Sequence, residues 1–255
     1  MNGIILKDDA RYDHVENFLR RKGYLFYEPH TRPENLDFII LPFKKELDKS
    51  IFDDEYFAAL GKRASVFSGL RNTYVAEKCD KYGLSYHVIM EDRGIAVKNA
   101  VPTSEGVICY LIGNRDDTIA NSRILVIGYG FCGCDLAKRL KSLGASVYAL
   151  VRNREKECAA YADYVTPVYL EALNGLQYDV CINTVPGDVL TDGIIERAGG
   201  ALFVDIASKP GFNMELAKKY NERSAVLPGI PGKYAVRAAG EILGEYIHYI
   251  LSGAK

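Results

Sequence analysis

Apolar and polar residues alternate with two different periods along this chain. Short apolar runs near 3–6, 24–28, 37–41, 64–68, 86–89 and 95–98 predict strands. Between the first two, DARYDHVENFLRRKG repeats its apolar positions at helical spacing, with Val15, Phe18 and Leu19 on one face, and Gly23 suits the stop. NAVPTSEGVICYLIGN then reads as a joint. Pro102 ends the strand before it, and Thr103 or Ser104 caps a helix running to about Ile112. Glu105 falls in that helix's first turn, where a negative charge is favoured. RDDTIANS is a polar connection, and a second part begins at Arg123.

From Arg123 the pattern becomes regular. RILVIG is a continuous apolar strand of the kind buried on both faces. DLAKRLKSLG is a helix, with Leu136, Leu140 and Leu143 expected toward the sheet. SVYALV, DVCINTVP and ALFVDIAS are further strands, and SAVLPGIPGK is a last strand entering a proline–glycine corner. AVRAAGEILGEYIHYIL closes the chain as a long amphipathic helix. Strands alternating with helices predict α/β architecture and parallel sheets. We expect a smaller N-terminal α/β substrate domain at 1–102 and a second domain at 103–255. The helix near 103–114 links them, and the closing segment 235–255 packs back toward the first.

Composition narrows the classes. With 255 residues, 48% of them hydrophobic and 25% charged, the chain has the make-up of an ordinary soluble protein. A formal charge of −1 supplies no field to attract nucleic acid or an anionic membrane. The 18 tyrosines show no stacking pattern for nucleic acid. No apolar run reaches the length of a membrane span, and the N-terminus lacks the shape of a signal peptide, so a cytoplasmic location is expected. The cysteines at 79, 109, 132, 134, 158 and 181 are expected reduced, and Cys132 and Cys134 read as small apolar fillers at a helix start. No second pair or spaced histidine completes a zinc site, so no metal is expected. The histidines at 14, 30, 87 and 248 are scattered and read as surface or structural residues.

One stretch carries chemistry. LVIGYGFCGCDLAKRL places Gly128, Gly130 and Gly133 between a strand and a helix. That context gives the pattern its meaning: a tight turn at Gly128, backbone approach to a pyrophosphate at Gly130, and close packing of helix on strand at Gly133. The second domain therefore reads as a Rossmann doubly wound parallel sheet binding a dinucleotide. The next strand ends in Arg152, Asn153 and Arg154, where a carboxylate would favour NAD. Arginine there pairs with a 2′-phosphate, so NADP is expected over NAD.

The chain resembles the dipicolinate synthase family, in particular its A-subunit branch. VFSGLRNTYV at 66–75 is similar to a serine–glycine segment of that family, and MEDRGIAVKNAVPTSEG at 90–106 resembles its E-R-D-x-x-A-x-x-N-x-x-P-T-x-E-G joint. DVCINTVP, VDIASKPG and LPGIPGKYAVRAAGEIL resemble its later strand ends, its corner and its closing helix. The chain departs from the family at Phe131 and Cys132, where an arginine and a threonine are usual. The resemblance implies a fold related to hydroxyacid and alanine dehydrogenases, oxidation of a dihydrodipicolinate-type heterocycle to dipicolinate with NADP as hydride acceptor, and a role in sporulation. It also implies a flavoprotein-like second subunit, and related folds suggest a homodimer. Two other readings stand beside it: a reductase of another small oxo or imino acid, and a non-catalytic nucleotide-binding regulatory protein.

Ligands in such folds bind at the carboxyl ends of the strands. We therefore expect cofactor contacts from Gly128, Gly130, Phe131, Cys132, Gly133, Arg152, Asn153, Arg154, Asn183, Thr184, Pro186, Asp205, Ala207, Ser208, Pro228 and Gly229. A dicarboxylate needs cations and N–H groups. Ser68, Arg71, Asn99, Thr103, Ser104, Lys209 and Arg237 are the expected substrate contacts. Glu105 and Lys233 are the candidate catalytic residues. Asn183 and Asp205 also have a plain structural reading as strand-end residues.

Overall fold

The computed structural model describes residues 1–28, 35–43 and 47–253. Its elements run β1 (Asn2–Ile5), α1 (Arg11–Arg21), β2 (Leu25–Phe26), β3 (Phe38–Ile40), α2 (Asp54–Ala59), β4 (Ser65–Ser68), α3 (Thr73–Tyr82), β5 (Ser85–Val88) and α4 (Arg93–Gly113). Then follow β6 (Arg123–Ile127), α5 (Phe131–Ser142), β7 (Ser146–Leu150), α6 (Arg154–Ala162), β8 (Thr166–Val168) and β9 (Val180–Asn183). The chain ends with α7 (Asp192–Arg197), β10 (Leu202–Asp205), α8 (Met214–Tyr220), β11 (Ala225–Val226), α9 (Pro231–Tyr234) and α10 (Val236–Ser252). Backbone contacts divide it into two compact units, 1–98 with 235–255, and 99–234. His30 lies outside the described residues.

The first unit holds a five-stranded parallel sheet in the order β2-β1-β3-β4-β5. One face packs Phe57, Val75 and Cys79 of α2 and α3; the other packs Tyr12, Val15 and Leu19 of α1 with Leu243 and Ile247 of α10. Short polar residues start two of these helices: Asp53 accepts from Tyr56 N at 2.8 Å and Asn72 from Val75 N at 3.2 Å. The α1–α10 seam depends on Gly240, where a Cβ would lie 2.5 Å from the Arg11 carbonyl oxygen. His248 is structural, its Nδ1 sharing a 2.9 Å hydrogen bond with the Tyr24 hydroxyl.

The second unit holds a six-stranded parallel sheet in the order β11-β10-β9-β6-β7-β8. Leu136 and Leu140 of α5 and Val107 and Leu111 of α4 cover one face; Ile194 and Ile195 of α7 and Ala217 of α8 cover the other. The strand order reverses at β6, which lies between β7 and β9. That crevice, at the strands' carboxyl ends, is where sheets of this topology take ligands.

Three expectations fail in this part of the fold. The run at 95–98 is helix, because Asp92 accepts from Ile95 N at 2.9 Å and starts α4 ten residues before Pro102. Pro102 therefore sits inside α4, and Thr103, Ser104 and Glu105 are interior helix positions with no first-turn role. Leu143 is exposed, because α5 stops at Ser142.

Candidate functional site

The glycine turn forms as its spacing requires. Gly128 has φ of +91° and its N–H donates to Leu150 O at 3.0 Å, which ties the turn to the end of β7. A Cβ on Gly133 would stand 2.1 Å from the Gly128 carbonyl oxygen, so only glycine lets α5 approach the turn this closely. Gly130 is the N-cap of α5 and supplies no side-chain cap. A Cβ on Gly130 would meet nothing within 4 Å, which leaves an open cradle there. Cys134 N donates to Gly130 O at 2.9 Å, and the N–H groups of Cys132 and Gly133 precede that bond at the positive end of the helix. An uncapped helix start beside a backbone cradle fits a pyrophosphate.

A cleft of about 650 Å³ opens from this turn. Its walls are Ile127–Gly130, Leu150–Arg152, Tyr169–Glu171, Val185, Pro186 and Val189, with Lys156 at the side. The wall is mostly apolar, as an adenine ring requires, and Arg152 enters it from the end of β7. Asn153 is a cap: its Oδ1 accepts from Lys156 N at 3.0 Å and starts α6. Arg154, the first residue of α6, is exposed and not part of the cleft wall. Lys156 lines the cleft instead; the signal was a lysine three residues past an asparagine N-cap. Tyr169 is held by α6, its hydroxyl donating to Glu157 Oε2 at 3.0 Å.

Several expected cofactor contacts are committed to the fold. Asn183 is fully buried; its Nδ2 donates to Val185 O at 2.9 Å and to both Asp205 oxygens at 3.1 Å. Asp205 also accepts from Ala207 N at 2.9 Å and Gly211 N at 2.8 Å. The pair locks the ends of β9 and β10, which is the structural reading of both residues. Thr184 Oγ1 donates to Ile127 O at 2.8 Å and holds β9 to β6. Pro186 does line the cleft, whereas Ala207, Ser208, Pro228 and Gly229 do not. Phe131 is exposed at the start of α5. Burial pushes the Cys132 thiol up, Asp135 adds to that, and a hydrogen bond with Thr103 opposes it.

The expected substrate and catalytic residues divide between the units. In the first, Ser68 is buried and its hydroxyl donates to Leu70 O at 2.8 Å. Arg71 grips Glu91 through two hydrogen bonds of 2.9 and 2.6 Å, which holds the Glu91 carboxyl below its usual range. Arg237 stands 3.5 Å from Glu241. In the second, Asn99 and Ser104 are buried on α4, and Thr103 Oγ1 donates back to Asn99 O at 2.7 Å. Glu105 is exposed, pairs with Arg139 at 3.3 Å and is not part of the wall of the cleft at the glycine turn. Lys209 and Lys233 are exposed and carry no ion pair among the described residues.

One cluster escaped the sequence reading. Asp163, at the end of α6, accepts from the Tyr129 hydroxyl at 2.9 Å, from Cys134 Sγ at 3.3 Å and from Lys138 Nζ at 3.2 Å. Burial works to raise the Asp163 carboxyl, but the bonds from Tyr129, Cys134 and Lys138 outweigh it and hold it low. Among the described residues no group of three histidines, cysteines or acids is placed to hold a metal, and no helix is long and apolar enough to cross a membrane.

No family model matches the sequence. The A subunit of dipicolinate synthase from Bacillus subtilis (strain 168) is 29% identical over 191 residues, which cover 73% of this chain and 64% of that protein, less than two thirds of its length. The crystal structure of the dipicolinate synthase A subunit from Bacillus halodurans superposes with a TM-score of 0.87 at 25% identity, over 98% of this chain and 97% of that one. The apo-structure of D-lactate dehydrogenase from Escherichia coli gives 0.65 at 14% identity, over 100% and 98%. By sequence and by fold, this chain is similar to the A subunits of dipicolinate synthase, and it shares its α/β fold with D-lactate dehydrogenase.

Proposed function

We propose that the chain is an NADP-dependent oxidoreductase that converts a dihydrodipicolinate-type heterocycle to dipicolinate. The observation that carries the reading is the turn at 128–133: an uncapped helix start, an open cradle at Gly130, and a cleft leading from it to Arg152. The α5 N–H groups hold the pyrophosphate, while Leu150, Val151, Tyr169 and Leu170 enclose the adenine. Arg152 and Lys156 take the 2′-phosphate. Arg154, first expected in that role, is left outside.

The substrate part rests on similarity to the dipicolinate synthase A subunits. Forming the aromatic ring removes one hydride and one proton, and a bound nicotinamide supplies the hydride acceptor. Because the product is aromatic, positioning suffices and the proton leaves to solvent. Lys209 and Lys233 are the carboxylate partners in this reading. The relative is one subunit of its enzyme, which supports a second chain here as well.

One observation favours a second reading. Arg71 and Arg237 face carboxylates of their own chain, which removes two cations expected for a dicarboxylate. A reductase of a small oxo or imino acid with one carboxylate needs fewer.

The tests are direct. Titrating the protein with NADPH and NADH, by nicotinamide fluorescence, is expected to show tighter binding of NADPH. Adding NADP and dihydrodipicolinate generated in place is expected to raise absorbance at 340 nm. Binding without turnover across a wide pH range removes the enzyme reading, and turnover of a monocarboxylate oxo acid alone selects the second. Arg152→Ala is expected to lower NADPH affinity about 10–100-fold, the loss of a charge-assisted phosphate contact. An unchanged NADPH-to-NADH preference in that variant refutes the 2′-phosphate assignment.

A further inference from the structure

The glycine turn is anchored by a residue thirty positions further along the chain. Tyr129 stands between Gly128 and Gly130, its ring is 5% exposed, and its hydroxyl ends on Asp163 Oδ2 at 2.9 Å. The same oxygen accepts from Cys134, one residue after Gly133, at 3.3 Å. Asp163 Oδ1 takes Lys138, one turn further along α5, at 3.2 Å. One carboxylate thus joins the turn, the first turn of α5 and the end of α6.

We propose that Asp163 is a positioning residue for coenzyme binding: through Tyr129 and Cys134 it fixes the backbone N–H groups that receive the pyrophosphate. The inference rests on the dinucleotide reading above. The geometry is suited to the task. Gly128 and Gly130 have no side chains to pack, so Tyr129 is the side chain through which this part of the turn is held. The free end of that side chain meets a charged acceptor, the stronger kind of hydrogen-bond partner. Cys134 carries the first bond of the α5 ladder, so holding its side chain sets the angle at which the helix start faces the cleft. Asp163 itself lies outside the cleft wall, so its effect passes through the turn.

The consequence is selective. Pyrophosphate contacts are made by the turn itself, whereas Tyr169–Glu171 in the adenine wall lie off it and Leu150 meets it through one backbone bond, from Gly128 N. Asp163→Ala removes the anchor, and Tyr129→Phe removes one of its three bonds. Asp163→Asn keeps an oxygen for the tyrosine hydroxyl. The probes are NADPH, which carries the pyrophosphate, and adenosine, which carries no phosphate, each titrated against the full chain with thermal unfolding followed in parallel. Asp163→Ala is expected to weaken NADPH about tenfold or more and Tyr129→Phe about threefold, while adenosine affinity changes less than twofold. Asp163→Asn is expected to recover most of the loss.

NADPH binding at wild-type strength in Asp163→Ala and Tyr129→Phe overturns the proposal. So does a loss shared equally by adenosine, which marks a general loosening of the unit. Where Asp163→Ala fails to fold, Tyr129→Phe decides by the same two criteria. A wild-type chain that binds neither NADPH nor NADH overturns the dinucleotide reading itself, and this inference with it. A wild-type chain that binds, beside variants that bind equally well, overturns only the role of Asp163.

Discussion

Gly130→Ala separates the fold's needs from the ligand's. Gly130 has φ of −86°, and a Cβ there meets nothing within 4 Å, so alanine fits the folded chain. Lower freedom in the unfolded chain favours alanine by about 0.4–1 kcal/mol. Alanine is the poorer N-cap by a similar amount, so the two effects nearly cancel. The melting temperature is expected to stay within about 2 °C of wild type. The methyl group, however, occupies the open space in which the proposed pyrophosphate would touch backbone. NADPH affinity is expected to fall about a hundredfold, near 2.8 kcal/mol. Gly133→Ala is the contrast, because its Cβ would lie 2.1 Å from the Gly128 carbonyl oxygen, a backbone atom with no freedom to swing away. Helix or turn must shift by about an ångström, at an overpacking cost of about 1–3 kcal/mol. That lowers the melting temperature by about 3–10 °C. Differential scanning fluorimetry and NADPH titration on both variants provide the assay. Gly130→Ala protein that binds NADPH as tightly as wild type refutes the placement of the pyrophosphate. Gly130→Ala protein that melts as early as Gly133→Ala refutes the geometry of the turn.

Three further outcomes are expected. Tyr164 is 83% exposed and held at φ of 57°, a left-handed conformation that costs a bulky residue about 1 kcal/mol, so Tyr164→Gly is expected to gain about 0.5–1 kcal/mol in denaturant unfolding. Asp205→Ala leaves the Ala207 and Gly211 N–H groups and the Asn183 amide without their acceptor; a loss of about 3 kcal/mol or more is expected, and one below 1 kcal/mol refutes the strand-end lock. The Asp163 carboxyl is held below its ordinary value in the folded chain, so its contribution is present above the unfolded pKa, about 3.9, and is lost as pH falls through the folded value. The stability gap between wild type and Asp163→Asn is therefore expected to be full at pH 7 and to narrow below about pH 4, as read by urea unfolding.

What the sequence disclosed follows from the range of the forces involved. The strand–turn–helix at 123–142 was legible because periodicity and the glycine positions act locally; β6, α5 and the approach of Gly133 to Gly128 all follow from neighbours in the chain. The run at 95–98 misled because Ile95 and Val97 alternate like a strand, and Pro102 suggested a break. The cap at Asp92 outweighs both, and an interior proline removes a single N–H from a helix of 21 residues. Arg154 is exposed and outside the cleft wall, whereas Lys156 of the same first turn lines it, a difference that the sequence spacing alone does not reveal. Asp163 was invisible for another reason: its partners lie 25 to 34 positions earlier, and no local pattern marks an acid at a helix end as the acceptor for a distant tyrosine. The pairing of Arg71 with Glu91 was hidden in the same way.

The first unit is assembled from residues 1–98 and 235–255, with 99–234 between them. A ribosome therefore releases every residue of the inserted unit before it delivers α10, the helix that covers Tyr12, Val15 and Leu19. Although translated first, the sheet of the first unit has one face covered by α1 alone until α10 emerges, a period in which chaperones or aggregation compete for the exposed apolar residues. A chain cut before Val236 should accordingly lose part of the core of the first unit while keeping every residue of the cleft wall.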